Sequence, residues 1–472
     1  MKKKSDKVLI LLIIIVGMVL VSWILPQGEF SLGVFENVDK VRVGIFDIFV
    51  NICMALYYNY ADILFILIVG GCYGVLSKSV RYRKLVDKTA NLIKGKEHIA
   101  LIVTTFVISL FTSISNQLFS MLVFVPFIVT VFLRNGKDRL TALAASFGGI
   151  LVGFVGATFS TYAYEYIKTA TALEANSLIG LKFIIYFIAL ILFDLFAILH
   201  MKKYKKVDDK KYDLFATEVL EEPKGKKSKK VKLWPILVVS AVLFVLIVLG
   251  QINWEESFGV EVFTNGFNKF QNSFKIGDVP FFSALLGEQF AAFGKWDNSV
   301  VLSFLAFVST IIIAISEKMD FKDFVLRFDV GIKKMLRLAI IFGLVQTIYV
   351  MSITYQWIPS IVTKLFGTGE PNILNILVVS ILVSFFTINP GYGNYTYGYF
   401  LSTVMGEKLA DSIVIWHFGT AMVMILAPTS MLVLLALTYL DIPYKKWLKY
   451  IWKFALSFFG LVLIVLLVKL VM

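Results

Sequence analysis

The chain has 472 residues, 58% hydrophobic and 15% aromatic, with mean hydropathy +0.81 and a formal net charge of +14. Soluble domains carry about 45–50% apolar residues, and many runs here reach the roughly 20 apolar residues that a hydrocarbon core of about 30 Å requires, which excludes a soluble α-protein. The positive charge gathers in loops between apolar runs, so it reports topology and not a nucleic-acid partner; Cys53 and Cys72 form no CxxC pair, and three lone histidines make no metal site.

Met1 to Lys7 is basic and precedes the apolar run Val8 to Leu25. That run is long for a signal peptide and no small-x-small site follows it, so it reads as a retained first helix with a cytoplasmic N-terminus. Pro26 to Tyr60 is mixed and aromatic, placed outside, with Gly44 to Tyr57 along the interface; Ala61 to Ser77 crosses back. Arg81, Arg83, Lys84, Lys88, Lys94 and Lys96 then precede the apolar segment Ile99 to Leu133, and Arg134, Lys137 and Arg139 follow it. Basic flanks on both sides place both ends in the cytoplasm, so the segment must enter and return. Its middle is interrupted by Thr112-Ser113-Ile114-Ser115-Asn116-Gln117. A re-entrant hairpin is expected at 99–133 because each arm is short for a span; two full spans with a polar turn are the alternative.

Leu140 to Ala163 goes out and Leu178 to His200 returns. Residues 202–232 form a Lys-rich charged linker, expected to be cytoplasmic and solvated, between a first half (1–201) and a second (233–472). In the second half Leu233 to Gly250 goes out, Ser299 to Ile315 comes in, and Leu338 to Tyr355 goes out. A second interrupted segment follows at 373–405, containing SFFTINPGYGNYTYGYF (Ser384 to Phe400). Ile413 to Leu440 comes in, Lys445, Lys446 and Lys449 mark the cytoplasmic side, and Ile451 to Val471 leaves the C-terminus outside. The second interrupted segment therefore begins and ends outside, opposite to the first, which is the pattern of inverted repeats.

The repeat has support in the residues. VISLFT (Val107 to Thr112) matches LVSFFT (Leu382 to Thr387) before each polar break. Phe147-Gly148 and Phe418-Gly419 follow the hairpins, and GATFS (Gly156 to Ser160) and APTSM (Ala427 to Met431) follow those, with Thr158 and Thr429 at the same offset. A potassium filter, with Thr-Val before Gly-Tyr-Gly, does not fit: here the triplet follows Asn389-Pro390. Helices that stop inside a membrane leave unpaired N–H and C=O groups, tolerated where they line a cavity or bind something. N-terminal ends favour anions; bare carbonyls with Ser, Thr and Asn oxygens suit a small hard cation.

At this point SWILPQGEF (Ser22 to Phe30), ILIVGG (Ile66 to Gly71) and above all APTSMLVLLALTYLDIPYKKWLKYIW (Ala427 to Trp452) resemble the YfcC/DcuC-type family of the ion transporter superfamily, over nearly the whole chain. The resemblance implies two inverted repeats, each with a re-entrant helical hairpin and a broken transmembrane helix. It also implies a substrate site made by the four breaks, sodium sites at the hairpin tips, and, by analogy, a homodimer. Members are assigned as carriers of four-carbon dicarboxylates or as arginine–ornithine exchangers. Carried onto this chain, the first site would use Ser113, Ser115, Asn116, Gly156 and Thr158, and the second Thr387, Asn389, Gly391, Thr429 and Ser430. The tips depart from the Glu-containing first tip and Pro-Ser-Gly-Ser-Gly second tip of relatives, so no relative's substrate transfers directly.

Single residues carry two readings each. Asp194 lies within an apolar helix, as a functional carboxylate or as one reaching Lys202 or water. His417 is a candidate proton site or a buried neutral histidine with one hydrogen bond. Glu165 and Asp411 read as interfacial. Tyr392, Tyr395, Tyr397, Tyr399 and Trp416 offer ring faces to a ligand or serve as anchors. No Arg or Lys falls inside either hairpin or the core of the helix after it, which favours a zwitterion over a dianion.

The expectation is an all-α polytopic protein of the cytoplasmic membrane acting as a secondary carrier, symporter or antiporter, with alternating access. Substrate contacts are expected at Ser115, Asn116, Thr158, Asn389, Gly391, Tyr392, Gly393 and Thr429, and a coupling sodium ion or proton in place of any cofactor or metal. The favoured substrate is an amino acid such as arginine or ornithine; a four-carbon dicarboxylate or other carboxylate is the alternative. From other classes stand an ion channel, a non-transporting membrane protein and, on Ser430 and His417, an intramembrane hydrolase. No GxxxxGK[ST], HExxH or GxSxG is placed for catalysis, so no enzyme is expected.

Overall fold

A computed structural model describes residues 6–31, 34–159, 177–204, 209–216, 231–287, 290–296, 299–366, 372–387, 397–398, 400–403 and 409–471. Among them, nine helical segments are long and apolar enough to cross a membrane. These are α1 (Asp6–Ile24), α5 (Glu97–Ser115), α7 (Arg139–Gly156), α8 (Ile179–Lys203), α9 (Trp234–Gln251), α10 (Ser299–Ser316), α11 (Phe321–Thr354), the broken pair α14 (Leu409–Leu426) and α15 (Met431–Tyr439), and α16 (Tyr444–Val471). Shorter elements complete the order: α2 (Ile45–Tyr58), α3 (Tyr60–Leu76), α4 (Val80–Ile93), α6 (Val125–Arg134), α12 (Ile358–Phe366) and α13 (Ile373–Phe386). The chain is an all-α polytopic membrane protein; its β-structure among the described residues is two small hairpins.

One face of the bundle is basic, and its charges fasten helix ends. Lys7 Nζ donates to Leu437 O at 3.0 Å, and Arg139 donates to the carbonyls of Leu440 and Asp441. Arg134 pairs with Asp87, and Lys137 with Glu97. At the opposite face Gly28 N donates to Gln356 O, and Asn51 donates to the Tyr355 hydroxyl. The helix α11 is longer than the span read from sequence: its 34 residues begin at Phe321, and the added turns are amphipathic, with Lys333 paired to Asp329 on the outside.

The densest contact is α3 against α11, and small residues permit it. A Cβ on Gly331 would lie 2.1 Å from Gly70 O, and one on Gly74 would lie 2.3 Å from Arg327 O. Close backbone approach through glycine is how helices associate where no hydrophobic drive separates protein from lipid. The bend of 68° between α2 and α3 keeps α2 off the bundle axis, as its aromatic sequence anticipates.

The two hairpin arms differ. The outgoing arm α5 has 19 residues, long enough to span, whereas the sequence suggested two short arms. The return is a 3-10 turn (Ser120–Val123) and the 10-residue α6. At about 1.5 Å per residue that helix covers about 15 Å, half of the hydrocarbon core. The tip is enclosed: Asn116 is 5% and Ser120 0% exposed, and the Phe119 ring packs against Phe65 and Phe342. In the second interrupted segment α13 has 14 residues, and residues 388–396, where a hairpin tip is expected, lie outside the described residues.

Part of the charged linker is docked and not solvated. Phe215 is fully buried against Tyr73, Asp209 pairs with Arg139, and the Arg139 guanidinium lies 3.5 Å over the Tyr212 ring. Burial pushes the nearby Asp213 carboxyl up to about 6, against the pull of the Phe215 amide, Lys334 and Arg134. The folded protein therefore holds more protons than the unfolded chain between about pH 4 and 6, and stability falls as pH rises through that window. Asp213→Asn keeps the acceptor for the Phe215 amide. It is expected to raise the melting temperature above pH 6, by the equivalent of about 1–2 kcal/mol, with no gain at pH 4. Thermal unfolding in detergent at the two pH values checks it.

Candidate functional site

The first break is built where α5 and α7 lie side by side. Glycines bring them together: a Cβ on Gly153 would sit 2.5 Å from Ser109 O, and one on Gly156 would sit 2.8 Å from Ser113 Oγ. Gly156 is thus a packing position. The chain leaves α7 through Ala157, whose φ of 38° is left-handed, and the last carbonyls of the helix need partners. Ala157 N donates to Gly153 O at 3.1 Å. Thr158 N donates to Ser113 Oγ at 3.2 Å, and the Ser113 and Thr158 hydroxyls lie 2.9 Å apart. Ser113 and Thr158, which the family resemblance placed in one candidate site, are in direct contact. Ser115 is satisfied locally by Phe111 O, and it accepts from Gln117 N.

Two features of this break were not read from the sequence. Lys182, on the first turn of α8, is 3% exposed and donates from Nζ to Thr158 O at 3.4 Å. A positive charge therefore stands at the break, where sequence reading placed none; Lys182 looks like a flanking residue because it stands near the start of an apolar run. The other is His417, which reaches from α14 to donate from Nε2 to Phe154 O at 2.9 Å. It caps a carbonyl that helix breakage left open, and so joins the two halves of the chain. The buried histidine with one hydrogen bond is the reading this geometry matches.

Three buried oxygens at the breaks have no hydrogen-bond partner among the described residues: Thr112 Oγ1, Asn116 Oδ1 and Thr429 Oγ1. Thr112 and Asn116 lie one turn apart at the C-terminal end of α5, and Asn116 is itself left-handed at φ 54°. Buried polar atoms are nearly always paired, so these open oxygens stand out among the buried groups of the described residues.

The second break is capped from another direction. Ser430 accepts from Val433 N as the N-cap of α15 and donates to Met424 O. Trp447 Nε1 donates to Ile425 O at 3.0 Å, and the Tyr444 hydroxyl donates to Leu426 O. Three orphan carbonyls at the end of α14 are thereby satisfied, two of them by the IPYKKW stretch. This gives a physical reason for those aromatics at that spacing after the break. The Ser384 and Thr420 hydroxyls join α13 to α14 at 2.8 Å, and Thr387 Oγ1 returns to Val383 O of its own helix. Asn389, Gly391, Tyr392 and Gly393, with Tyr395, Tyr399 and Glu165, lie outside the described residues. Tyr397 stacks on Trp416 at 5.4 Å and meets Phe30 edge-on, an aromatic packing cluster.

Behind the first break runs a polar seam between α5 and α8. Ser109 and the Tyr186 hydroxyl lie 2.9 Å apart, and Thr105 donates to Asp194 at 2.7 Å. Asp194 is thus held by a hydroxyl and not by Lys202. At the basic end His200 meets Asp138 at 3.0 Å.

Comparison with known proteins bears on what this site serves. An uncharacterized protein of Haemophilus influenzae is 22% identical over 435 residues, covering 89% of this chain and 77% of that protein. Among solved structures, the YdaH transporter of Alcanivorax borkumensis is similar at 12% identity and a TM-score of 0.43, covering 96% of this chain and 95% of that one. MtrF of Neisseria gonorrhoeae, reported with a class of antimetabolite efflux pumps, is similar at 12% identity and a TM-score of 0.34, covering 98% and 94%. The family model described as DcuC, C4-dicarboxylate anaerobic carrier, matches residues 5–471. This secondary transporter of the membrane therefore belongs to the DcuC carrier family.

Proposed function

We propose that the chain carries a small dicarboxylate of the four-carbon type across the cytoplasmic membrane by alternating access of two inverted repeats, with its N-terminus in the cytoplasm and its C-terminus outside. The observation that carries the substrate class is Lys182, a buried ammonium at the first break. The case for an amino acid rested on the lack of a cation near the hairpins, and Lys182 removes that reason. An anion in a low-dielectric site gains far more from a fixed ammonium than it would in water. The second break adds the Thr429 hydroxyl, without a partner among the described residues, beside the amino end of α15, the positive pole of that helix. The family description points the same way. Coupling is proposed to a cation, sodium or a proton. The open oxygens of Thr112 and Asn116, at the carboxyl end of α5, are the proposed place for it.

Counterflow tests this reading. Purified protein in liposomes loaded with succinate is expected to take up labelled succinate above empty liposomes, with and without sodium deciding the coupling ion. Uptake of labelled arginine into ornithine-loaded vesicles, without succinate exchange, would show an amino-acid exchanger and reject the dicarboxylate.

A further inference from the structure

A cavity of about 950 Å³ opens at the basic face between the last turns of α8 and the first turns of α16. Its rim carries Lys203 from α8 and Lys446, Lys449 and Lys453 from α16. The three on α16 recur at spacings of three and four residues, which places them on one side of that helix. All four are exposed. The two carboxylates in the wall are engaged elsewhere: Asp138 with His200 and Thr141, Asp209 with Arg139. Among the described residues no carboxylate pairs with the four lysines, so the rim keeps its charge.

Away from the rim the walls turn apolar. Leu195 and Leu199 are 53% and 55% exposed, and Phe196 and Phe454 complete the groove. Trp452, half exposed, sits beside Lys453 on α16, an amphipathic ring of the kind found at a membrane interface. The cavity is thus divided along its length, cationic at one end and hydrocarbon-like at the other.

We propose that this cavity is a binding site for an anionic phospholipid, with the headgroup phosphate among Lys203, Lys446, Lys449 and Lys453 and an acyl chain along Leu195, Leu199, Phe196 and Phe454. Basic pockets between helices on the cytoplasmic side are suited to acidic headgroups, because that leaflet carries them. A free phosphate would leave the leucines uncovered, and so would an acidic peptide. The lipid matches both ends at once. The site is separate from the helix breaks and does not depend on which substrate is carried.

Delipidated full-length protein should be titrated with phosphatidylglycerol, with phosphatidylcholine of the same acyl chains, and with inorganic phosphate, reading bound adducts by native mass spectrometry and the melting temperature. Phosphatidylglycerol is expected to give discrete adducts and raise melting by several degrees, while the other two do neither. Affinity is expected to fall about fivefold for each lysine removed in a Lys446→Gln, Lys449→Gln, Lys453→Gln series. Equal response to phosphatidylcholine overturns the proposal, as does a response reproduced by phosphate or an unchanged affinity in the triple variant. Should the triple variant not fold, Lys203→Gln on the other helix takes its place: weakened phosphatidylglycerol binding supports the site, and unaltered binding rejects it.

Discussion

Lys182→Gln is expected to abolish most dicarboxylate uptake while leaving the protein folded. Glutamine keeps a polar N–H donor on a side chain one bond shorter than lysine; what it lacks is the charge. A hydrogen bond to a charged group contributes about 1.5–3 kcal/mol, so losing the charge predicts a fall in transport of roughly 10- to 150-fold. Lys182→Met removes both donor and charge. It is expected to lower the melting temperature as well, because Thr158 O then loses this donor. The pair of variants separates two roles. A lysine that only caps a carbonyl gives an active glutamine variant and an impaired methionine variant. A lysine that also holds the substrate gives two inactive ones, with the loss in the glutamine variant concentrated in apparent affinity. Glutamine at 182 with wild-type uptake would remove the ammonium from substrate recognition, and the main support for a dicarboxylate would go with it.

The sequence announced the polar interruption after α5 and the breaks after α7 and α14, because each is written in local pattern. Polar residues interrupt apolar runs, glycines mark close approach, and Thr158 and Thr429 stand at matching places after a Phe-Gly pair. What it hid are the partners that close the breaks. His417 caps Phe154, 263 positions away, and Trp447 and Tyr444 cap the end of α14 from α16. Periodicity reports which side of a helix is apolar; it carries no information on which distant donor meets an orphan carbonyl. Lys182 was hidden for another reason. A lysine near the start of an apolar run resembles a boundary marker, and only the burial of Lys182 itself, on an otherwise partly exposed first turn of α8, shows that it points into protein. The docked stretch 209–216 escaped likewise, since a Lys-rich linker masks one buried Phe215 in its composition.

The proposed coupling site offers the second large effect, through Asn116→Gly. Asn116 ends α5 in the left-handed region, with its N–H donated to Thr112 O at 2.7 Å. Glycine is the residue such a position favours, so the backbone gains about 1 kcal/mol or loses nothing. The side-chain Oδ1 is buried without a partner among the described residues, and a buried acceptor left open costs about 1–3 kcal/mol. Deleting it is therefore expected to leave the melting temperature unchanged or raised. If Asn116 served structure alone, the glycine variant would be at least as stable and as active as the parent. A cation ligand predicts the opposite pairing: a stable protein whose transport falls tenfold or more and whose half-saturating cation concentration rises. Thr112→Val, which removes the second open oxygen one turn earlier, should act in the same direction. Cation-titrated counterflow measured beside thermal unfolding decides between the two. Stability gained with transport lost assigns the oxygens to the ion, whereas both variants transporting with unaltered cation dependence would clear the first tip of any coupling role.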